Sequence, residues 1–230
     1  MARCFWVAGT DTDIGKTLVT AYLMRYFQEK GEKVIPYKPV QTGLLAENSK
    51  SYYEDTAFYQ SFSEERLAEE HLNTYSFEEA ASPHYAAMLE GSAIDEHVIL
   101  QHIEQLKSMY DCVICEGAGG LYVPLDVKRN YHLLHLIQQS RLPAVLAVRT
   151  ALGTINHTLL SLEALKMHDI PAAGIVFNAF EGTDIERNNI ETILQITRLP
   201  ALVIPKLKDP LEAKNLKLDH EDFFERLSNI

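Results

Sequence analysis

Short, uninterrupted apolar runs alternate with longer stretches of helical spacing along almost the whole chain, which predicts strand, helix, strand repeated to the end. Arg3–Ala8 reads as a buried strand, Leu18–Glu29 as a helix that Gly31 stops, and Lys33–Tyr37 as a second strand. From Glu47 to His71 the pattern turns polar and irregular, with helical spacing at Glu54–Gln60 and again at Ser63–Glu70. Ser82 caps a helix with Pro83 in its first turn and Gly91 at its end; Asp95–Met109 is a further amphipathic helix.

Three more apolar strands follow: Asp111–Cys115, Pro143–Val148 and Ala172–Phe177, the last with Asn178 at its end. Helices are expected from about Leu152 to His168 and from Ile185 to Thr197, then a strand Ala201–Ile204 running into Pro205-Lys206-Leu207. Asp219 is placed as the cap of a final helix whose Phe223, Phe224 and Leu227 cover the core. Together these elements predict an α/β fold, a mostly parallel sheet of about six or seven strands with helices on both faces, forming one domain over 1–230.

Composition narrows the function. The 230 residues are 47% hydrophobic, enough for one sizeable core. A net charge of −11, with no basic stripe, argues against a nucleic-acid surface. No apolar run reaches the roughly 18 to 20 residues of a membrane span, and the first strand begins too early to leave room for a signal peptide, so a cytoplasmic protein is expected. Cys112 and Cys115 have C-x-x-C spacing, but lie in a strand where residues three apart point to opposite faces; they are expected to be buried thiols and not a redox pair.

The candidate chemistry starts between the first strand and the first helix. Gly9-Thr10-Asp11-Thr12-Asp13-Ile14-Gly15-Lys16-Thr17 reads as a phosphate-binding loop, although the regular spacing puts a glycine at Thr10 and the chain has it one step early. Backbone N–H groups and the helix dipole favour an anion there, Lys16 reaches the β and γ phosphates, and Thr17 holds magnesium. Lys38, at the carboxyl end of the second strand, is positioned to stabilise charge on a transferred phosphoryl group, and the Thr42 hydroxyl to touch a second substrate. Glu116, at a strand tip before Gly117-Ala118-Gly119-Gly120, suits a magnesium nucleotide. The Gly153-Thr154-Ile155-Asn156 helix start offers N–H groups to a carboxylate, but the plainer pattern reading makes Thr154 a cap. None of the 9 histidines has metal-ligand spacing.

Five separated stretches occur together and in order: the phosphate loop, Tyr37-Lys38-Pro39-Val40, Ser82-Pro83-His84, Glu116-Gly117-Ala118-Gly119-Gly120 with Pro124-Leu125, and Leu152-Gly153-Thr154-Ile155-Asn156-His157. In these the chain resembles the dethiobiotin synthase family over nearly its whole length. The resemblance implies a phosphate-loop nucleotide-binding fold and a homodimeric, magnesium-dependent ATP enzyme. Such an enzyme forms dethiobiotin from 7,8-diaminononanoate and carbon dioxide through a carbamate and a carbamic-phosphoric anhydride.

By that resemblance Lys16 and Lys38 are catalytic, and Asp13, Ile14, Gly15, Thr17, Gly117, Ala118 and Gly119 meet ATP. Asp55 joins Thr17 and Glu116 at the metal. Asn178 reads adenine, while Pro205, Lys206, Leu207 and Glu212 close over it. Thr12, Thr42 and Gly153 to Asn156 contact the diamine substrate, the last group by its distal carboxylate and across the dimer.

Two alternatives stay open at this point. A corrinoid-type amidoligase would usually append a glutamine-hydrolysing domain, for which 230 residues leave no room. A partitioning-type ATPase switch commonly carries a second lysine early in the loop, which Thr10 and Asp11 do not supply.

Overall fold

The computed structural model describes residues 2–47, 50–218 and 220–230. In chain order its elements are β1 (Arg3–Gly9), α1 (Lys16–Gln28), β2 (Val34–Tyr37), β3 (Val40–Thr42), β4 (Leu44–Glu47), β5 (Lys50–Tyr53), α2 (Glu54–Phe62), β6 (Tyr75–Phe77), α3 (Pro83–Leu89) and α4 (Glu96–Met109). Then come β7 (Cys112–Glu116), β8 (Pro124–Asp126), β9 (Tyr131–His132), α5 (Leu133–Ser140), β10 (Ala144–Val148), α6 (Thr154–Met167), β11 (Ala172–Phe180), α7 (Asp184–Thr197), β12 (Ala201–Pro205) and α8 (Glu221–Ser228).

Six strands make one parallel sheet in the order β12-β11-β10-β1-β7-β2. Every residue of β7 and β10 is buried, and so is all of β1 after Arg3, which requires cover on both faces. Helix α1 packs on β1, β2 and β7, α6 on β10 and β11, and α8 on β11 and β12. Because β1 lies between β7 and β10, the chain leaves it first to one side and later to the other, opening a crevice over its carboxyl end. Register then sets the neighbours of that crevice. Cys115 pairs with both Trp6 and Tyr37, so Glu116 and Lys38 emerge level with each other from adjacent strands.

Several expectations need correction. No helix forms over Ser63–Glu70: α2 ends at Phe62, Ser63 is extended, and only a short 3-10 turn follows at Glu69–His71. The Gln60 side chain explains the break, since it donates to the Leu67 carbonyl at 2.8 Å and accepts from the Leu67 N–H at 3.3 Å, removing both groups from a helical ladder. Where the irregular reading begins, β5 pairs antiparallel with β4 just before it, Leu44 opposite Tyr53. Strand β11 continues past Asn178 to Phe180 through a register shift, with Ala179 at φ 59°. Thr154 does not cap α6; Gly153 holds the N-cap position at φ 91°, and the Thr154 hydroxyl donates back to the Arg149 carbonyl at 2.5 Å. The cap assigned to Asp219 lies outside the described residues.

Cys4, Cys112 and Cys115 are buried, unpaired thiols, and burial pushes Cys112 and Cys115 upward in pKa. Among the described residues no helix is long and apolar enough to cross a membrane.

Helix α8 closes the sheet through Phe223, and Gly174 on β11 makes that approach feasible. A Cβ at Gly174 would stand 2.8 and 2.9 Å from Phe223 ring carbons and 2.9 Å from the Pro200 carbonyl oxygen. Gly174→Ala is therefore expected to lower the unfolding free energy by about 1–3 kcal/mol, read from urea denaturation. An unshifted midpoint would show that α8 yields without cost.

Candidate functional site

The loop between β1 and α1 takes its shape from two backbone positions in the left-handed region, Asp13 at φ 54° and Gly15 at φ 84°. Only glycine suits the second, because a Cβ there would fall 2.0 Å from Asn178 Nδ2. Lys16 folds back along the loop and donates to the Asp11 carbonyl at 2.8 Å. No described side chain caps α1, so its first N–H groups face the loop.

Four chain segments bring polar groups to that helix start. The Thr17 hydroxyl lies 2.6 Å from Asp55 Oδ1 and 3.0 Å from Glu116 Oε1. Lys38 Nζ donates to Glu116 Oε1 at 3.0 Å and also to Asp55 Oδ2, and the Tyr59 hydroxyl donates to Glu116 Oε2. Glu116 is 1% exposed and Lys38 8%.

Burial works against the charge on Lys38, but Glu116 and Asp55 outweigh it and raise its pKa. Burial likewise opposes ionisation of Asp55, and Lys38 reverses this, holding the carboxyl below its ordinary value. For Lys16 burial prevails and lowers the pKa, although Glu116 pulls the other way. Burial, then the charges of Glu116 and Asp55, push the Tyr59 phenol well up, so it serves as a neutral donor. Thr17, Asp55 and Glu116 thus converge three hard oxygen donors beside a phosphate loop, the chemistry that suits magnesium.

A cavity of about 850 Å³ opens above them, lined by Thr12, Asp13, Gly15, Lys16 and Thr17 from the loop and by Lys38, Asp55 and Glu116. Thr42, Ala118 and Gly119 also line it, with Leu45, Tyr53 and Phe58 contributing apolar wall. Other expected site residues stand back from it. Ile14 is buried beneath the loop, and Gly117 packs against Leu133, where a Cβ would come within 2.6 Å. Asn178 donates to the Ile14 carbonyl at 2.8 Å, while its Oδ1 is buried with no partner among the described residues. Lys206 pairs with Glu181, and Pro205, Leu207 and Glu212 belong to a strap from β12 that reaches the cavity at Pro210. Gly153, Thr154, Ile155 and Asn156 connect to the loop through Arg149, which donates to the Thr12 carbonyl at 3.1 Å.

The model of a family described as "AAA domain" matches residues 3–213. An ATP-dependent dethiobiotin synthetase of Lysinibacillus sphaericus is 55% identical over 223 residues, 97% of this chain and 95% of that one. A second, from Halalkalibacterium halodurans, is 41% identical over 87% of this chain and 83% of its own. The chain belongs to the ATP-dependent dethiobiotin synthetase family.

Among solved structures, the septum site-determining protein MinD of Pyrococcus horikoshii, complexed with Mg-ADP, matches with a TM-score of 0.61 at 16% identity over 100% of this chain and 96% of that one. Cobyrinic acid a,c-diamide synthase of Mycobacterium smegmatis, with bound ADP and magnesium, gives 0.52 at 16% over 93% and 91%. Those two likenesses show the fold of this member of the dethiobiotin synthetase family.

Sequence reasoning missed Tyr59 at this candidate site, although its signal was present: it stands four residues after Asp55, on the same face of α2. It also missed Glu186, which braces the turn between β10 and α6. Thr150, Thr183 and the Glu181 N–H all donate to its carboxylate, and Asn189 holds the Thr150 carbonyl at 2.9 Å. Burial pushes this carboxyl up, but those hydrogen bonds overcome it and bring the pKa down to about 2 from 4.5. A depressed folded pKa means stability fully present above pH 4.5 and lost as pH falls toward 2. The stability difference between the native chain and Glu186→Gln is thus expected to be greatest at neutral pH and to shrink on acidification; a pH-independent difference in chemical denaturation would refute this.

Proposed function

We infer that this chain uses ATP to join carbon dioxide to 7,8-diaminononanoate and close the ureido ring of dethiobiotin, releasing ADP and phosphate. The observation that carries the reading is the convergence of Lys16, Lys38 and the Thr17, Asp55 and Glu116 oxygens on one cavity mouth.

One amine of the substrate adds to carbon dioxide and loses a proton, giving a carbamate. A carbamate oxygen then attacks the γ-phosphorus of ATP and ADP leaves. The neighbouring amine attacks the carbon of the carbamic-phosphoric anhydride, forming the second C–N bond and losing a proton as phosphate departs. The second step brings two anions together, and this is where the cationic residues act. Lys16 leaves the Asp11 carbonyl for the β and γ phosphates, and Lys38 turns its ammonium toward the transferring phosphoryl group, where charge grows. The third step is intramolecular and gains from proximity. Magnesium, held by Thr17, Asp55 and Glu116, neutralises phosphate charge when bound.

Further roles follow the same reading. The Asn178 Oδ1 acceptor suits the exocyclic amine of adenine, with Pro205, Lys206, Leu207 and Glu212 flanking the base; Gly117, Ala118 and Gly119 border the phosphates. Thr12 and Thr42 contact the diamine. Gly153 to Asn156, at an α6 start with no side-chain cap among the described residues, hold its carboxylate within a homodimer. A dimer would also cover Leu152 and Met167, which are 82% and 75% exposed in the single chain. The 230 residues act as one ligase domain, in a cytoplasm that supplies ATP and keeps thiols reduced.

Release of ADP is expected to require both diaminononanoate and bicarbonate; turnover indifferent to the diamine and stimulated by DNA or lipid would point to a partitioning-type switch instead. Lys38→Gln is expected to cut turnover by roughly 10²-fold or more while ATP affinity changes far less, separated by steady-state kinetics and nucleotide titration. Equal losses in both would make Lys38 a ground-state contact. Glu116→Gln is expected to raise the magnesium concentration needed for half-maximal turnover.

A further inference from the structure

Glu116 divides its two oxygens between two jobs. Oε1 faces the Thr17 hydroxyl and the Lys38 ammonium, each at 3.0 Å, on the cavity side. Oε2 faces inward, where the only described hydrogen-bond donor to it is the Tyr59 hydroxyl. Tyr59 is fully buried on α2, which packs on α1, and the Thr20 side chain of α1 lies beside its phenol. The same short helix presents Asp55 one turn earlier, so its Asp55–Tyr59 face delivers both a carboxylate to the cluster and the donor that fixes the other carboxylate.

A carboxylate at a strand tip has two competing orientations. It can offer one oxygen to the cavity, or swing to offer both to the nearest cation, which here is Lys38. We propose that Tyr59 is a positioning residue whose hydroxyl pins Glu116 Oε2 and so keeps Oε1 alone turned toward Thr17, Lys38 and a divalent cation; this rests on the magnesium-nucleotide reading above. The hydroxyl does more than satisfy a buried oxygen. It sets how many oxygens Glu116 gives to the cation, and it limits the hold of Glu116 on Lys38 to one oxygen. Outer-shell donors of this kind commonly govern metal affinity without touching the metal.

The test uses the intact protein with ADP and Mn²⁺, whose electron paramagnetic resonance reports bound ion without any turnover. Tyr59→Phe is expected to weaken Mn²⁺ binding about tenfold. Adding Tyr59→Phe to Glu116→Gln is expected to cause no additional loss, because the phenol acts only through that carboxylate. Unchanged Mn²⁺ affinity in Tyr59→Phe overturns the proposal, and so does an equal loss in both backgrounds, which would mean the phenol acts by packing. If Tyr59→Phe folds only together with Glu116→Gln, or in neither background, the hydroxyl is structural and the proposal falls. Tight Mn²⁺ binding by the native protein with no diamine-dependent ADP release would fault the assigned reaction while the Tyr59 comparison still decides this question; no Mn²⁺ binding by the native protein removes both.

Discussion

Asp55 and Glu116 are carboxylates drawn out of water around a single ammonium, and much of the site depends on that grouping. Burying either charge alone is unfavourable by several kcal/mol, and the interaction with Lys38 offsets this only because every oxygen also finds a donor. Thr17 and Tyr59 supply the missing donors. The grouping is not local in sequence: β2 delivers Lys38, α2 Asp55 and Tyr59, β7 Glu116, and α1 Thr17. A parallel sheet is what makes this practical, since strands running the same way end at the same edge and their tips can share one pocket.

Much of this arrangement was legible in the chain. Continuous apolar runs marked β1, β7, β10 and β11 because parallel strands buried on both faces show no alternation. Thr17, Lys38 and Glu116 could be singled out because each follows a strand or opens a helix, where ligands gather. What escaped has physical reasons. The β4–β5 hairpin is half exposed and carries no clear apolar face, so periodicity gave it no mark. The Ser63–Glu70 helix failed because the side chain of Gln60, in the preceding helix, captured the Leu67 peptide, and no propensity measure sees such competition. Thr154 looked like a cap from its residue type, yet glycine in the left-handed region had taken the cap position and freed the hydroxyl for Arg149.

The family and the fold are separable lessons. Solved neighbours at 16% identity share the fold, and they include a septum site-determining protein and a cobyrinic acid a,c-diamide synthase. Curated relatives at 55% and 41% identity, covering most of both chains, carry the narrower family. On the proposed reading, specificity comes from what surrounds the phosphate loop: Lys38 beside it and an apolar wall formed by Leu45, Tyr53 and Phe58.

The Lys16 bond to the Asp11 carbonyl has a consequence for how nucleotide arrives. It bridges the two limbs of the loop with a contact internal to the protein, so the curve needed to wrap an anion already exists. On the proposed ATP reading, seating a triphosphate exchanges one neutral acceptor for a charged one on a loop already curved, so little ordering entropy opposes it. On that reading the Asp11 carbonyl is also the acceptor to which the ammonium returns when the diphosphate departs, so the lysine is never left without a partner.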